Sequence, residues 1–95
     1  MQIKYTVTAS DSLAQLIAFI ENTNTLGSGL RWLNKYELFM NEALLISVNH
    51  KICNNLSLKS LGLNCLYFND WLIAYSIHQN FILIEALLHK SRISD

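Results

Sequence analysis

Polar and apolar residues alternate from Gln2 to Val7, with Ile3, Tyr5 and Val7 on one side and Gln2, Lys4 and Thr6 on the other. That is the period of a half-buried first strand. Thr8 followed by Asp11 resembles a capping box with the shorter acid, and Ser10 is an alternative cap. A helix is predicted from there, with Leu13, Leu16, Ile17 and Ile20 as its apolar stripe, ending near Asn22 to Asn24 before Gly27 and Gly29. A second helix is predicted over about Ser28 to Val48, carrying Trp32, Tyr36, Phe39, Ala43 and Ile46 on one side, flanked by Leu33, Met40 and Leu44. Asn49, His50 and Lys51, then Asn54 and Asn55, break the period. The stretch to Gly62 reads as a connection with room for a short strand.

Beyond Gly62 the chain becomes strand-like over Leu63 to Phe68, Trp71 to His78 and Phe81 to Leu88, separated by Asn69-Asp70 and Gln79-Asn80. Asn and Asp tolerate the positive φ of two-residue hairpin turns, so two successive hairpins are predicted. Such turns pair Phe68 with Trp71 and His78 with Phe81, and each later pair follows. One face then carries Leu66, Phe68, Trp71, Ile73, Tyr75, Ile77, Ile82, Ile84, Ala86 and Leu88 and is expected to receive the helices. The other carries Leu63, Cys65, Tyr67, Leu72, Ala74, Ser76, His78, Phe81, Leu83, Glu85, Leu87 and His89, too apolar to face water uncovered. The expected fold class is α+β, in the order β-α-α-β-β-β, with a helical hairpin packed on one face of an antiparallel sheet.

Ninety-five residues make a single domain, 1–95, near the small end of what buries a core without disulfides or metal. Hydrophobic residues are 52% and charged ones 15%, against about 25% charged in ordinary chains, which leaves apolar surface for a partner. Seven basic residues balance seven acidic ones, so the chain lacks the general positive field of a nucleic-acid binder. Cys53 and Cys65 show no CxxC spacing and the three histidines are scattered; both thiols are read as free and buried, and no metal or cofactor is expected. The opening residues do not resemble a signal peptide, and no apolar run reaches ~18 residues, so neither secretion nor a membrane span is expected. A cytoplasmic, reducing location follows from that reading.

The order strand, helix, helix, strands, together with Ile3-Lys4-Tyr5 followed by Ala9 and Leu13, the run from Tyr67 to Ile77, and Phe81 to Arg92, resembles the RelE/ParE toxin superfamily over nearly the whole chain. In that family a strand of the type aromatic, Arg, apolar, any, Tyr precedes a hairpin and a closing strand ending in Leu-His-x-x-Arg-like residues. Tyr75, Leu88, His89 and Arg92 stand at matching positions. Leu72 stands where the family usually has Arg, and the Pro-x-x-Gly-type stretch after helix two is here Asn49 to Asn55 without proline. The resemblance implies the toxin of a type II toxin–antitoxin pair. Members closer to RelE cut ribosome-bound mRNA by general acid–base chemistry, for which no matching set stands out. ParE-like members, associated with binding DNA gyrase, need none, and the closing Leu88 to Arg92 is nearer their ending. A non-toxic binding module that retains the scaffold is the third reading.

His89, Lys90 and Arg92 form the local basic cluster and are the first candidates for contacting a target; Lys51 and Lys59, with His50, are candidates to flank it. A solvated C-terminus and a polar loop are the plain alternatives. Glu85 and His89 are the weak candidates for acid–base work, with pairing to a partner's cation the competing role for Glu85. Trp32 and Trp71 read as core. Tyr67, Leu72, Phe81, Leu83 and Leu87 make the outer-face patch, expected to be covered by an antitoxin that folds as it binds or by a second copy of the chain.

Overall fold

The computed structural model describes residues 2–46 and 50–92. Strand β1 (Gln2–Tyr5) is followed by helices α1 (Val7–Thr23) and α2 (Ser28–Met40), the latter running into a π-helical turn over Asn41–Ile46. A short helix α3 (Leu56–Ser60) precedes strands β2 (Asn64–Phe68), β3 (Trp71–Ile77) and β4 (Phe81–His89), and a 3-10 turn spans Lys90–Arg92. Residues 47–49, where helix two was predicted to end, lie outside the described residues.

Strand β1 stops at Tyr5 because Thr6 caps α1, its hydroxyl accepting from the Ala9 N–H at 3.1 Å. The helix therefore starts earlier than predicted, its cap two residues before Thr8 and four before Ser10, and Val7 is exposed rather than part of the strand. At the far end, the Glu21 carboxylate accepts from the N–H groups of Gly27 (2.7 Å) and Gly29 (3.0 Å), the open end of α2. Gly29 is where the helices touch: a Cβ there would lie 2.8 Å from the Ile17 carbonyl oxygen.

The sheet order is β1-β4-β3-β2. Strands β2, β3 and β4 are antiparallel, as the two turns predict, and Asn69 adopts the positive φ of 54° expected of its turn. Strand β1 joins β4 in parallel, Ile3 opposite Ile82, so the sheet is mixed rather than antiparallel. Alternation alone carries no direction, and the intervening helices supply the crossover a parallel neighbour needs.

The predicted register holds from Ile77↔Ile82 to Tyr75↔Ile84 and then shifts, with Ala74 opposite Ala86 and Ile73 opposite Leu87. Glu85 is the extra residue of a β-bulge, not the partner of Ala74. The consequence is a change of side: Leu87 and His89 join the helix-facing residues, and Ala86 and Leu88 move to the outer face, the reverse of the predicted sides. The larger core accordingly unites Ala9 of α1 and Tyr36, Met40 and Leu44 with Ile73, Tyr75, Ile82, Ile84 and Leu87. The row of deepest burial on the second helical segment is Tyr36, Met40 and Leu44; Tyr36 is from the predicted row, while Trp32 and Phe39 of that row flank it.

The segment left as a connection pairs with the sheet. Ile52 bridges Asn64 in antiparallel fashion, with Cys53 N–H donating to the Leu63 carbonyl (3.0 Å) and Cys65 N–H to that of Lys51 (2.9 Å). This sets Cys53 diagonally across from Cys65, Cα atoms 4.8 Å apart, and the two form a disulfide instead of remaining free thiols. Cys53, Leu63 and Ala74, with Leu58, Cys65 and Ala86 against them, make a second, smaller core. Since Ala74 lies between the inward Ile73 and Tyr75, this cluster is on the outer face. Part of that face is thus covered by the chain's own residues. Among the described residues no helix is long and apolar enough to cross a membrane.

Candidate target-binding site

The turn joining β2 to β3 and the end of β4 meet at one end of the sheet. Lys90 N–H donates to the Asp70 carbonyl at 2.8 Å, and its ammonium lies 3.1 Å from the Asp70 carboxylate. Both side chains are exposed, so the pair contributes on the order of 0–1 kcal/mol, yet it engages the Lys90 cation predicted to meet a target.

His89 stands beside Trp71, its cross-strand partner, ring edge to ring face with centroids 5.1 Å apart. Its Nδ1 accepts from the Ser91 N–H (3.2 Å) and contacts the Ser91 hydroxyl (2.8 Å). A backbone N–H only donates, so a neutral His89 carries its proton on Nε2. Across from these residues runs α1. Ser12, Gln15, Leu16 and Phe19 form one wall and Trp71, Leu87, His89 and Ser91 the other wall of a cleft of about 540 Å³. Volumes of roughly 300–1,000 Å³ suit a small ligand or an anchoring side chain. The cleft offers an aromatic and aliphatic interior, three neutral polar side chains and one imidazole.

The bulge is what builds this cleft, because it turns Leu87 and His89 toward α1. Of the predicted target-contacting residues, His89 lines it, Lys90 adjoins it, and Arg92 closes the 3-10 turn. Lys51 and Lys59 are not brought to it: Lys51 lies beyond β2 and Lys59 on α3. Glu85 does not line the cleft either, so the two weak acid–base candidates do not share it. The α1 wall was missed in the sequence, although Phe19, lying off the predicted stripe and 64% exposed, is a signal that the helix offers a second apolar surface.

The outer-face patch is smaller than predicted. Leu87 is 4% exposed and faces the helices, while Leu72 is buried at 2%. The Phe81 ring lies between the Lys4 ammonium, 4.5 Å from its centroid, and the stacked His78 ring at 4.5 Å, with Ser76 2.9 Å from the His78 Nε2. Leu83 is half-buried, and Tyr67 remains 59% exposed.

A second cleft, of about 430 Å³, opens beside β1 between Ile3, Tyr5, Leu33, Tyr36, Glu37 and Met40. At its wall the Tyr5 and Tyr36 hydroxyls are 2.9 Å apart. Burial pushes both phenols above the ordinary tyrosine value, with the Glu37 carboxylate adding in the same direction. Burial likewise raises Tyr75, whose hydroxyl lies 2.9 Å from the His50 Nδ1. Among the described residues no group of three or more His, Cys, Asp or Glu is placed to hold a metal ion.

No family model matches the chain, and no curated protein matches it either.

Proposed function

We propose that the chain is the toxin of a type II toxin–antitoxin pair, of RelE/ParE-like topology and closer to ParE-like members, which acts by binding a cellular target of the gyrase type and is neutralised by an antitoxin. The observation that carries this reading is the order of elements: strand, two helices and a three-stranded meander, with β1 beside β4 and the end of β4 next to an aromatic cleft. The helices share a core with one face of the sheet, and the outer face keeps apolar residues for an antitoxin. Binding is favoured over cutting because Glu85, Lys51 and Lys59 are not gathered around His89, as an RNA-cleaving site needs.

The chain is to be induced alone in a bacterial host, with growth, mRNA integrity and the DNA-damage response followed together. Arrest with intact mRNA and a damage response is the expected result. Arrest with cleaved mRNA would instead establish the ribosome-dependent endonuclease, and normal growth a non-toxic binding module. Leu83→Asp is expected to abolish association with an antitoxin while the fold persists. Full association by a folded Leu83→Asp variant removes the outer face from the proposal, and formation of a homodimer that the substitution breaks assigns that face to self-association.

A further inference from the structure

The Cys53–Cys65 disulfide belongs to the outer-face cluster, and the proposed target-binding cleft does not use it. Around it residues 50–62 bury little apolar area against the sheet. Two backbone hydrogen bonds tie Cys53 to Leu63 and Cys65 to Lys51, the His50 Nδ1 lies 2.9 Å from the Tyr75 hydroxyl, and Leu58 is the apolar side chain that α3 lays on the cluster. Its five residues are far fewer than a helix needs to persist unaided. Leu56 and Leu61, at 71% and 72% exposed, leave their apolar area in solvent. What the segment covers is small: Leu63, Ala74 and Ala86 offer limited area for burial. We propose that the disulfide is a redox latch, whose closure holds residues 50–62 over the outer face of the sheet and whose reduction frees them and uncovers Leu63, Ala74 and Ala86.

A dithiol reductant opens it. One thiolate attacks the Cys65 sulfur, the partly exposed member, since Cys53 is only 1% exposed. The Sγ–Sγ bond breaks, Cys53 leaves as a thiolate, and the second thiol of the reductant resolves the mixed disulfide. Two electrons and two protons pass to the cysteines, and the reductant departs as its own disulfide. Loop-closure entropy for a ring closed by cysteines 12 residues apart loosens the segment about a hundred-fold on reduction. The helix-side core contains neither cysteine and holds the rest of the fold. A reducing compartment thus keeps the latch open and oxidation shuts it. As regulation of the antitoxin surface the latch rests on the function proposed above; as a property of the chain it does not.

Amide hydrogen exchange on the full chain, with and without dithiothreitol, tests it. The expected result is that protection of the Cys53 and Cys65 amides falls about a hundred-fold, while the Thr6 amide, bonded to Ile84 across the sheet, keeps its protection. The double variant Cys53→Ser, Cys65→Ser should show the reduced pattern without reductant. Unchanged protection at Cys53 and Cys65, an equal loss at Thr6, or alkylation of both thiols in the air-oxidised chain overturns the latch. The exchange experiment involves neither host nor target, so its failure is separate from failure of the growth assay.

Discussion

Truncating Leu87 and Leu88 to alanine, one at a time, tests the bulge that builds the cleft. Leu87 is 4% exposed and belongs to the helix-side core opposite Ile73, whereas Leu88 is half-buried on the other face opposite Leu72. Removing the buried isobutyl group forfeits transfer energy of about 0.8 kcal/mol per methylene equivalent, and a cavity adds to it, so losses of roughly 2–5 kcal/mol are usual. Leu87 also lines a cleft open to water, which relieves part of the cavity cost and points to the lower half, about 2–3 kcal/mol. Leu88→Ala should cost about 1 kcal/mol, because water already reaches its side chain. Urea unfolding with the disulfide intact reads the difference as a shift in midpoint at constant slope. In thermal unfolding the Leu87 variant should melt about 10–20 °C lower, at roughly 4–8 °C per kcal/mol for a domain of this size. A Leu88→Ala loss equal to or larger than that of Leu87→Ala would place the unbulged register in the folded chain and remove His89 from the cleft.

Two further perturbations follow from the titratable contacts. The Gly27 and Gly29 N–H groups hold the Glu21 carboxyl below its ordinary value of 4.5, so its contribution is present above that value and is lost as pH falls through the lower folded value; Glu21→Gln should flatten the acid limb of a plot of melting temperature against pH. At the alkaline end the signs reverse: Tyr5 and Tyr36 lie above the ordinary 10.0, so their contribution is complete below that pH and disappears as pH rises toward the folded values. Both phenols should resist ionisation in an ultraviolet titration until the fold opens. Tyr36→Phe, which leaves the Tyr5 hydroxyl without that partner, should cost about 1–3 kcal/mol in urea unfolding, and a neutral effect would remove the hydroxyl pair as a stabilising contact.

The turns were the most legible part of the chain. Asn69-Asp70 and Gln79-Asn80 interrupt strand-like runs with residues that tolerate tight reversal, and the pairs Phe68↔Trp71 and Ile77↔Ile82 follow from them. The bulge was not legible because Ala86, Leu87 and Leu88 are all apolar, so a one-residue shift leaves a hydrophobic residue on either face and the pattern carries no phase. The cap at Thr6 was hidden by the run Thr6-Val7-Thr8, which offers two hydroxyls where one is used. Pairing of the cysteines required a bridge at Ile52, within a stretch lacking alternation. Of the cleft, the closing His89 and Lys90 were visible as a cluster at a strand end, while the α1 wall was not, since a helix stripe is read for the core it buries and Phe19 lies off it.

These failures share a physical origin in the unequal sides of the sheet. On the helix side, large residues such as Tyr36, Met40, Ile82 and Ile84 are each almost fully buried, and burial of that size dictates the pattern that a sequence displays. On the outer side the small cluster is made largely of alanine and cysteine, whose burial releases little energy, so neither periodicity nor hydrophobicity announces it. Among the described contacts, residues 50–62 are held there by the covalent bond together with two backbone hydrogen bonds, the His50–Tyr75 contact and the Leu58 side chain. A cover held by a bond rather than by area can be released without dismantling the fold, and the core that remains when it leaves is the one shared by α1, α2, β3 and β4.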